Sequence, residues 1–430
     1  MRKIVLHTLG SYGDLHPFMA IGLELKRRGH QAVIATHEFY RRKVEAEGLA
    51  FHPVRPDIDP QNKELSRMIM DVKKGPETVL RDVIFPALRD SYHDLIGTVE
   101  GSDLLVSAAV TFAAPLAAEK TGVPWASSVF APMQFWSKYD PPVLTPFPHL
   151  AFLRKLGPKV NQAVINWGKS VTRPWAEPVY TLRKELGLPQ GEHPVFEGQF
   201  SPRLVLALFS PLMGNPQPDW PAQTVAAGFA FYDRDSDFPE AARLEDFLSS
   251  GAPPIVFTLG TAAVRDAGEF YVESVAAARK LGRRSLLLVG DVPENIPPGL
   301  GADELAIPYA PFSQVFPRAA AIVHQGGIGT CGQALRSGRP MVVVPYSHDQ
   351  PDNAARLQKI GVARVVRRHQ YKANRVARAL TEVMGHADYA VHAARASKCV
   401  RVEGGVYTAC QALENLLPRS PTRFVPSFQG

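Results

Sequence analysis

The sequence has little cysteine and no long apolar run among its 430 residues. Its three cysteines, Cys331, Cys399 and Cys410, are too few for a disulfide framework, and none stands in a CxxC or similar zinc-binding spacing. This usage fits a reducing compartment and predicts a cytoplasmic location. The longest uncharged stretch, near residues 108–118, contains a proline. It falls well short of the roughly 20 residues of a membrane helix, so we expect no membrane span.

A signal peptide is not expected either. The N-terminal segment MRKIVLHTLGSYGD begins with basic residues, but its apolar run is short and is interrupted by His7. A secretory signal has a longer apolar region. We therefore interpret this segment as the first strand of a domain.

Blocks of basic residues are also missing, although the formal net charge is +7. The basic residues occur as scattered pairs at 27–28, 73–74, 283–284 and 367–368. Such pairs are typical of solvated helix ends, so nucleic-acid binding is not expected. Weak attraction to an anionic membrane surface stays open.

Strand-like and helix-like segments alternate through both halves, which predicts an α/β fold with two Rossmann-like domains. IVLHTLGS at 4–11 is echoed by IVFTLGTA at 255–262, as two tandem nucleotide-fold domains would produce. The Pro- and Gly-rich SPLMGNPQPDWP at 210–221 indicates a connection between them. We assign 1–215 to the N-terminal domain, 216–235 to a linker, 236–387 to the C-terminal domain and 388–430 to final helices whose return to the first domain is open.

Parallel sheets bind ligands at the carboxyl ends of their strands. Two such sheets facing one another enclose a cleft, a common place for a small-molecule site. The architecture therefore predicts an enzyme with two ligands.

The most informative stretch is AAAIVHQGGIGTCGQALRSGRPMVVVPYSHD at 319–349, where an apolar strand enters a helix through glycines. Glycines let a phosphate approach the backbone, and the helix start offers N–H groups and positive potential. Thr330 and His324 can donate further hydrogen bonds. The pattern indicates an anion site that needs no metal.

Two alternatives apply to this stretch. Residues 327–332 satisfy GxGxxG, and Asp349 lies 20 residues beyond Gly329, so a nicotinamide or flavin oxidoreductase is one of them. Against it, Asp349 lies inside SHDQPDNA and does not end a second strand, and the fingerprint comes late in its domain. It also leaves His324 and the Asp349-Gln350 pair without a role. The other alternative is a tight strand–helix junction with no ligand.

The segment YAPFSQVFPRAAAIVHQGGIGTCGQALRSGRPMVVVPYSHDQPDNAARLQKIGVA at 309–363 resembles the donor-binding signature of family 1 glycosyltransferases. TLGSYGDLHPFMAIGLELKRRGH at 8–30 resembles the same family. The similarity is to the bacterial branch with sterol glucosyltransferases, rhamnolipid-type rhamnosyltransferases and antibiotic or flavonoid glycosyltransferases. It implies a GT-B fold, in which two Rossmann-like domains face a central cleft, with the acceptor in the first and a nucleotide-sugar in the second.

The activity that the resemblance implies is inverting, metal-independent transfer of a rhamnose- or glucose-type sugar from a dTDP- or UDP-sugar. The acceptor would be a hydroxyl of a small hydrophobic molecule, such as a flavonoid or other phenol, a sterol, a lipid or a polyketide. The nucleotide-sugar is a co-substrate, and no cofactor is expected. A non-catalytic nucleotide-sugar-binding protein is a further alternative.

The resemblance also assigns the donor site residue by residue. The diphosphate would contact His324, Gly326, Gly327, Gly329, Thr330 and Thr261. The transferred sugar would contact Asp349 and Gln350, and the base would contact Tyr309, Ala310 and Pro311. Plant members carry a ribose-binding Glu where we align Gly332, which favours a deoxyribose nucleotide unless the neighbouring Gln333 compensates.

The general base would be Asp14, because Gly13-Asp14 stands where plant relatives have Gly-His. A carboxylate with a raised pKa can accept the acceptor's proton. The alternative for Asp14 is a favourable charge near a helix N-terminus. For His16 we favour capping or packing over a role as base, and Ser11 is a candidate for orienting the acceptor or sugar.

The acceptor site is the least defined. The aromatic and Pro-rich residues 130–152 either line an apolar acceptor pocket or pin a long loop to the domain, and both interpretations stay open. The candidate acceptor-binding residues are Ser11, His16, Phe130, Phe135 and Trp136. Asp-x-Asp pairs occur at 57–59, 233–235 and 235–237, but no strand precedes them. We therefore expect no metal.

Overall fold

The computed structural model describes residues 1–59, 62–145, 147–233 and 238–417, with the backbone alone at 148–150. It confirms the predicted α/β fold, because the chain forms two fully parallel sheets flanked by helices. Asp235 and Asp237 of the Asp-x-Asp pairs lie outside the described residues, as do residues 418–430 of the predicted final segment.

The first sheet has seven strands in the order β3-β2-β1-β4-β5-β6-β7. They are β1 Lys3–His7, β2 Gln31–Thr36, β3 Ala50–Pro53, β4 Leu104–Ser107, β5 Trp125–Val129, β6 Val205–Ala207 and β7 Thr224–Ala226. The helices of this half are α1 Tyr12–Arg27, α2 Arg41–Ala46, α3 Lys63–Ile69, α4 Gly75–Thr78, α5 Leu88–Val99, α6 Ala113–Thr121, α7 Pro158–Thr172 and α8 Glu177–Glu185.

The second sheet has six strands in the order β10-β9-β8-β11-β12-β13. They are β8 Ile255–Thr258, β9 Ser285–Leu288, β10 Glu304–Ile307, β11 Ala321–His324, β12 Met341–Val343 and β13 Ala363–Val365. The remaining helices are α9 Ala241–Ser249, α10 Phe270–Lys280, α11 Phe312–Val315, α12 Ile328–Ser337, α13 Gln350–Lys359, α14 Ala373–Gly385, α15 Ala387–Val402 and α16 Gly405–Leu416. No helix in the described ranges is long and apolar enough to cross a membrane.

The strands are mostly apolar because helices cover both faces of each sheet. Along β1, Ile4 and Leu6 pack under α1, whereas Val5 between them packs on the opposite face. β1 and β8 are interior strands of their sheets, and each ends in Thr-Leu-Gly. Gly10 and Gly260 adopt φ of 125° and 64°, so both turns use a conformation that favours glycine. The sequence echo therefore marks equivalent turns.

The stretch 216–235 is more than a linker. It contains β7, which pairs with β6 at the edge of the first sheet. Trp220 is buried nearby and stacks on Phe135 at a ring-centroid distance of 3.9 Å. A three-residue edge strand leaves little pattern in Pro- and Gly-rich sequence, so the predicted boundary at 215 falls inside the sheet.

The last helices join the two halves. α15 packs on α12 of the second half, and α16 packs on α1 of the first. Cys410 and Leu413 of α16 are buried in the first domain's core. At the end of α1, Arg28 forms an ion pair with Glu414 at 2.7 Å.

Two segments of the first half also reach the second. Met70, just after α3, is 1% exposed in the core of the second domain, and the Ser347 hydroxyl donates to the Asp71 carbonyl at 3.1 Å. The Val143 N–H donates to Asp352 Oδ1 at 2.9 Å. These contacts fix the two sides of the cleft relative to one another.

Candidate active site

Asp14 lies in the first turn of α1, at the carboxyl end of β1. Its Oδ2 accepts hydrogen bonds from the Ser11 N–H at 2.8 Å and from the Ser11 hydroxyl at 3.2 Å. Ser11 in turn caps α1 by accepting from the Gly13 N–H. A Cβ on Gly10 would lie 2.4 Å from Asp14 Oδ2, so the carboxylate occupies space that only glycine leaves. Asp14 therefore belongs to a capping box that holds it in one position.

The protonation of Asp14 follows from this setting. Burial raises the pKa of its carboxyl to about 6, and the hydrogen bonds from Ser11 oppose that rise. The side chain is half-buried, so solvent still reaches it. A carboxylate with this pKa can accept a proton near neutral pH.

Two further residues hold the turn that positions Asp14, and sequence reasoning missed both. His37 Nδ1 lies 2.5 Å from the Pro56 carbonyl, to which it donates. His37 Nε2 is thereby left to accept from the Gly10 N–H at 3.0 Å. The Tyr40 hydroxyl donates to the Gly10 carbonyl at 2.9 Å. No sequence motif identifies these residues, because His37 and Tyr40 follow β2 and are distant in sequence from Gly10.

His16 is a packing residue in the structure. Its ring stacks on Tyr232 at 4.9 Å and lies 5.3 Å from Tyr12. Burial lowers the pKa of His16 to about 3, and its Nε2 has no partner in the described part of the chain. The neutral, enclosed ring fits the packing interpretation.

The glycine-rich turn links β11 to α12. Gly326 has φ of 90°, and a Cβ there would lie 2.9 Å from Val343 Cγ1. Gly327 is the N-cap residue of α12, where no side chain caps the first N–H groups. A Cβ on Gly329 would meet no heavy atom within 4 Å. The helix therefore offers backbone donors beside open space, as an anion site requires.

His324, at the end of β11, holds the glycine-rich turn by a hydrogen bond. Its Nδ1 accepts from the Gly326 N–H at 3.1 Å, which leaves the proton on Nε2. Nε2 is enclosed and has no partner among the described residues, and burial lowers the pKa of the ring to about 3. His324 is 0% exposed, so it does not open onto the cleft in this conformation.

Gln325 is a site residue that sequence reasoning missed. A Cβ on Gly260 would lie 2.3 Å from Gln325 Nε2, and one on Gly327 would lie 2.9 Å from it. The amide thus lies between the two glycine turns of the second domain. It donates to Thr330 Oγ1 at 3.4 Å, and its Oε1 is buried without a partner in the described residues. The sequence signal that could have identified Gln325 is its position between His324 and Gly326, two residues of the predicted donor site.

Thr261 and Thr330 border the same region. Thr261 is exposed directly after the Gly260 turn, whereas Thr330 is 6% exposed within the first turn of α12. Because Gln325 contacts both turns, the structure brings these predicted residues to one place.

Asp349 and Gln350 lie at the N-terminus of α13. Asp349 Oδ2 accepts from the Asn353 amide at 2.7 Å, and the same amide donates to the Gly326 carbonyl at 2.9 Å. Gln350 Oε1 accepts from the Tyr346 N–H at 2.8 Å. The start of α13 is therefore tied to the glycine-rich turn.

The charge of Asp349 is also coupled to the first domain. Burial raises the pKa of the Asp349 carboxyl to about 7, and the negative charge of Asp14 adds to that rise. The hydrogen bond from Asn353 opposes it. Asp14 and Asp349 thus come from different domains and interact electrostatically.

The predicted base-binding residues follow β10. Tyr309 is 52% exposed, and Phe238 lies edge-on to its ring at 6.2 Å. Ala310 and Pro311 are buried. Phe312 stacks on Phe316 at 4.4 Å.

The acceptor-pocket interpretation is wrong for Phe130 and Phe135. Phe130 is 5% exposed and packs edge-on against Phe18. Phe135 is 6% exposed and is held between Trp220 and Phe200. These contacts lie in the hydrophobic cores, and they support the alternative that the rings pin the loop.

Trp136 packs against Phe196 at a ring-centroid distance of 4.8 Å and is half-buried. Its φ of 52° is unusual for a tryptophan. This contact again fits a ring that anchors the loop.

Gly332 packs closely against an aromatic ring. It is buried, and a Cβ there would lie 2.9 Å from the Phe229 ring. The missing side chain therefore also serves packing, and the preference for a deoxyribose nucleotide stays a prediction. Its neighbour Gln333 is half-buried and donates to Asp233 Oδ1 at 3.1 Å.

A charged network fixes α13 against the first domain. The Arg356 guanidinium donates to Asp352 Oδ2 at 2.6 Å and to Asp140 Oδ2 at 2.5 Å. Asp352 is 0% exposed and Arg356 is 6% exposed. The helix that carries Asp349 at its start is thus anchored one turn later.

Within the described ranges, no group of three or more His, Cys, Asp or Glu side chains is arranged to hold a metal ion.

Comparison with known proteins covers both halves of the chain. Residues 4–134 match the glycosyltransferase family 28 N-terminal domain, and residues 267–402 match the erythromycin biosynthesis protein CIII-like C-terminal domain. The chain is 33% identical over 440 residues to the O-mycaminosyltylonolide 6-deoxyallosyltransferase of Streptomyces fradiae, covering 99% of this chain and 100% of that protein.

More distant proteins agree. The chain is 28% identical to a sterol 3-beta-glucosyltransferase of Gibberella zeae, covering 96% of this chain but only 29% of that relative's length. The crystal structure of the glycosyltransferase VinC in complex with dTDP shares the fold, with a TM-score of 0.70 at 20% identity over 96% of this chain and 99% of that one.

The Gly10 turn and the glycine-rich turn after β11 both lie in ranges that match glycosyltransferase domains, and the relative of Streptomyces fradiae matches along nearly the whole chain. The oxidoreductase interpretation of residues 327–332 is therefore wrong. The chain belongs to the GT-B glycosyltransferases that share these two domains, and it is a nucleotide-sugar-dependent glycosyltransferase.

Proposed function

We propose that this enzyme transfers a 6-deoxyhexose, of the rhamnose type, from a dTDP-sugar to a hydroxyl of a polyketide, with inversion and without a metal. The sugar and acceptor class are supported by the relative of Streptomyces fradiae, whose name describes 6-deoxyallosyl transfer to O-mycaminosyltylonolide. The nucleotide is supported by the dTDP bound to VinC. A UDP-sugar is the alternative donor.

The observation that carries the proposal is that Ser11 holds the Asp14 carboxylate at the start of α1, and that α1 contacts α12, the helix that follows the glycine-rich turn. Asp14 would accept the proton of the acceptor hydroxyl as its oxygen attacks the anomeric carbon. The bond from that carbon to the diphosphate oxygen breaks on the opposite face, and the dTDP departs with the electron pair. Attack opposite the leaving group inverts the configuration.

The leaving diphosphate needs fixed donors, because negative charge develops on it as the bond breaks. The uncapped N–H groups at the start of α12 provide them, with the helix dipole adding positive potential. Thr261 and Gln325 would add side-chain donors from the adjoining turn. His324 would act by holding Gly326, because its ring is enclosed.

The sugar and base would be held by the groups around this centre. Asp349 would accept from sugar hydroxyls, and Gln350 would use its amide nitrogen, since its oxygen is occupied by the Tyr346 N–H. Tyr309 would stack on the thymine. The buried Ala310 and Pro311 would present backbone groups to the edge of the base.

The nucleotide is tested by thermal unfolding of the protein with dTDP, UDP or no ligand. A ligand at 100 times its dissociation constant stabilises the folded state by about 2.7 kcal/mol, a visible shift in midpoint. We expect dTDP to shift the midpoint more than UDP at equal concentration. A larger shift with UDP would overturn the nucleotide assignment.

The acceptor is tested by incubating the enzyme with dTDP-rhamnose and matched hydroxylated acceptors, namely a macrolactone, a sterol and a flavonoid. Mass spectrometry would follow each product. We expect the macrolactone to gain one deoxyhexose most rapidly, and faster transfer to the sterol or flavonoid would contradict the acceptor assignment.

A further inference from the structure

Large apolar side chains are exposed together on the first domain. They lie in the 3₁₀ segment Pro148–Leu156 and in α7, which follows it directly. Phe152 is 59% exposed, Leu156 56%, Trp167 51% and Val171 40%. The Phe147 ring packs edge-on against Trp167 at 5.9 Å, so the two segments form one surface. We call it the basic–apolar surface.

The orientation of α7 explains the exposure of its apolar residues. Lys159, Trp167 and Val171 are spaced by multiples of four, which places them along one face of the helix. This face points to solvent, whereas Asn161 and Ile165 are the buried residues of the helix. A helix of a soluble domain normally turns its apolar stripe inwards. In α7 part of that stripe faces outwards instead.

The two segments themselves carry charge of one sign. From residue 141 to residue 176 the sequence has five Lys and Arg residues and no Asp or Glu. Lys155, Lys159 and Arg173 are exposed. Lys169 is paired with Glu197, and Arg154 lies 3.9 Å from Asp140, so these two cations are partly neutralised. The exposed apolar residues are therefore bordered by at least three accessible cations.

We propose that the basic–apolar surface docks on an anionic lipid membrane. Aromatic and aliphatic side chains beside lysines are the composition of helices that lie in the membrane interface. An anionic leaflet complements the cations, each contributing about 1 kcal/mol or roughly fivefold in affinity near the surface. An acidic protein surface would match the charge, but the exposed Phe, Leu, Trp and Val side chains call for an apolar phase beneath it.

The position of the surface makes docking useful. It belongs to the same domain as Asp14, and loop 137–145 connects it to the interdomain contacts at Asp352. A hydrophobic acceptor partitions into a membrane, so an enzyme docked there would meet it at high local concentration. The docking itself requires neither the proposed donor nor the proposed base, and it is tested without turnover.

The test is co-sedimentation of the full chain with vesicles of phosphatidylcholine alone or mixed with phosphatidylglycerol. We expect binding to the anionic vesicles at low salt, weaker binding at high salt because of screening, and little binding to neutral vesicles. No binding to anionic vesicles at low salt would overturn the proposal.

Two double variants separate the apolar and electrostatic parts. Trp167→Ser with Val171→Ser, and Lys155→Glu with Lys159→Glu, should each lower the vesicle partition coefficient at least about tenfold. Val272→Ser with Lys280→Glu, on the exposed face of α10, is the matched control and should bind like the wild type. Circular dichroism melts would show that all variants are folded.

Equal vesicle binding by the wild type and both surface variants would also contradict the proposal. Sedimentation velocity without lipid addresses a second copy of the chain as the occupant. If the wild type self-associates and the Trp167 variant does not, while neither binds vesicles, the surface is an interface between copies and the membrane assignment is wrong.

Discussion

Burial raises the pKa of Asp349, in the second domain, to about 7, and the negative charge of Asp14, in the first domain, adds to that rise. The two carboxylates come from α1 and α13, on opposite sides of the cleft. Asp14 follows the turn at Gly10, and Asp349 follows a turn that is held by the hydrogen bond from the Tyr346 N–H to Gln350 Oε1. Under the proposed function, one takes a proton from the acceptor and the other holds the sugar. Their electrostatic interaction is therefore the structural link between the two substrates.

The raised pKa of Asp349 predicts a pH-dependent stability. A carboxyl whose pKa is about 7 in the folded state keeps its proton between about pH 4 and 7, where the unfolded chain loses it. The free energy of unfolding should therefore fall as pH rises through this window.

Asp349→Asn removes this pH-dependent contribution to the free energy of unfolding. The amide oxygen of the new side chain can still accept the hydrogen bond from Asn353. We expect the variant to be more stable than the wild type at pH 8 by about 2 kcal/mol, roughly half of what the full shift would give, because Asp349 is half-buried. The difference should vanish near pH 4. Chemical denaturation at the two pH values measures it, and an equal difference at both would contradict the assigned pKa.

The two glycines of α12 should respond differently to alanine. At Gly332 the added methyl group would meet the Phe229 ring at 2.9 Å, so we expect Gly332→Ala to lose about 1–3 kcal/mol of stability. At Gly329 there is open space, so Gly329→Ala should fold at least as stably. It should nevertheless bind dTDP more weakly, because the methyl group would occupy the space left for the diphosphate.

Denaturation and calorimetric titration of both variants with dTDP check this pair. Unchanged dTDP affinity in Gly329→Ala would argue against a diphosphate at the start of α12. Full stability in Gly332→Ala would show that Phe229 gives way.

Substitution of Gln325 tests the donor site, because this side chain lies between the turns at Gly260 and Gly327. A hydrogen bond to a charged ligand contributes about 1.5–3 kcal/mol, so Gln325→Leu should weaken dTDP binding by roughly tenfold or more. Folding stability should be kept or raised, since Gln325 Oε1 is buried without a partner in the described chain. Gln358→Leu, on the exposed side of α13, is the control, and equal affinities in both variants would exclude Gln325 from the site.

Arg356 should be essential for stability. Arg356→Met leaves the fully buried Asp352 with only the more distant Arg154, at 4.0 Å, as a cation, and the loss of a buried partner typically costs about 3–5 kcal/mol. Arg318→Met breaks an exposed ion pair with Glu245 and should change stability little. Urea denaturation compares the two, and an equally small loss in both would show that the interdomain network is not needed.

Much of the fold was predictable because its signals are local. Apolar runs ending in glycine marked the strands β1, β8 and β11, and the turns after them carry the predicted site residues. The boundary at 215 failed because β7 has three residues in Pro-rich sequence and is defined by its pairing with β6.

The errors in the site have a common physical cause, which is contact between residues distant in sequence. For Phe135 a pocket and a packing role were both open, and its stacking on Trp220 shows packing. Gly332 was considered only as the position that lacks a ribose-binding Glu, and its packing against the Phe229 ring has no signal in the local sequence. His37 was overlooked because its hydrogen bond to Gly10 crosses from one strand end to the next.

The most direct test of the account is the single-turnover rate of Asp14→Asn at saturating donor and acceptor, measured together with its affinity for dTDP. Asp388→Asn, at an exposed acid in the first turn of α15, is the matched control. Because a positioned base contributes about 10²- to 10⁴-fold, we predict a rate loss in this range for Asp14→Asn, with dTDP affinity unchanged and folding stability kept or slightly raised, since burial raises the pKa of the carboxyl that is removed. Transfer at the rate of the wild type would contradict the assignment of Asp14 as the base.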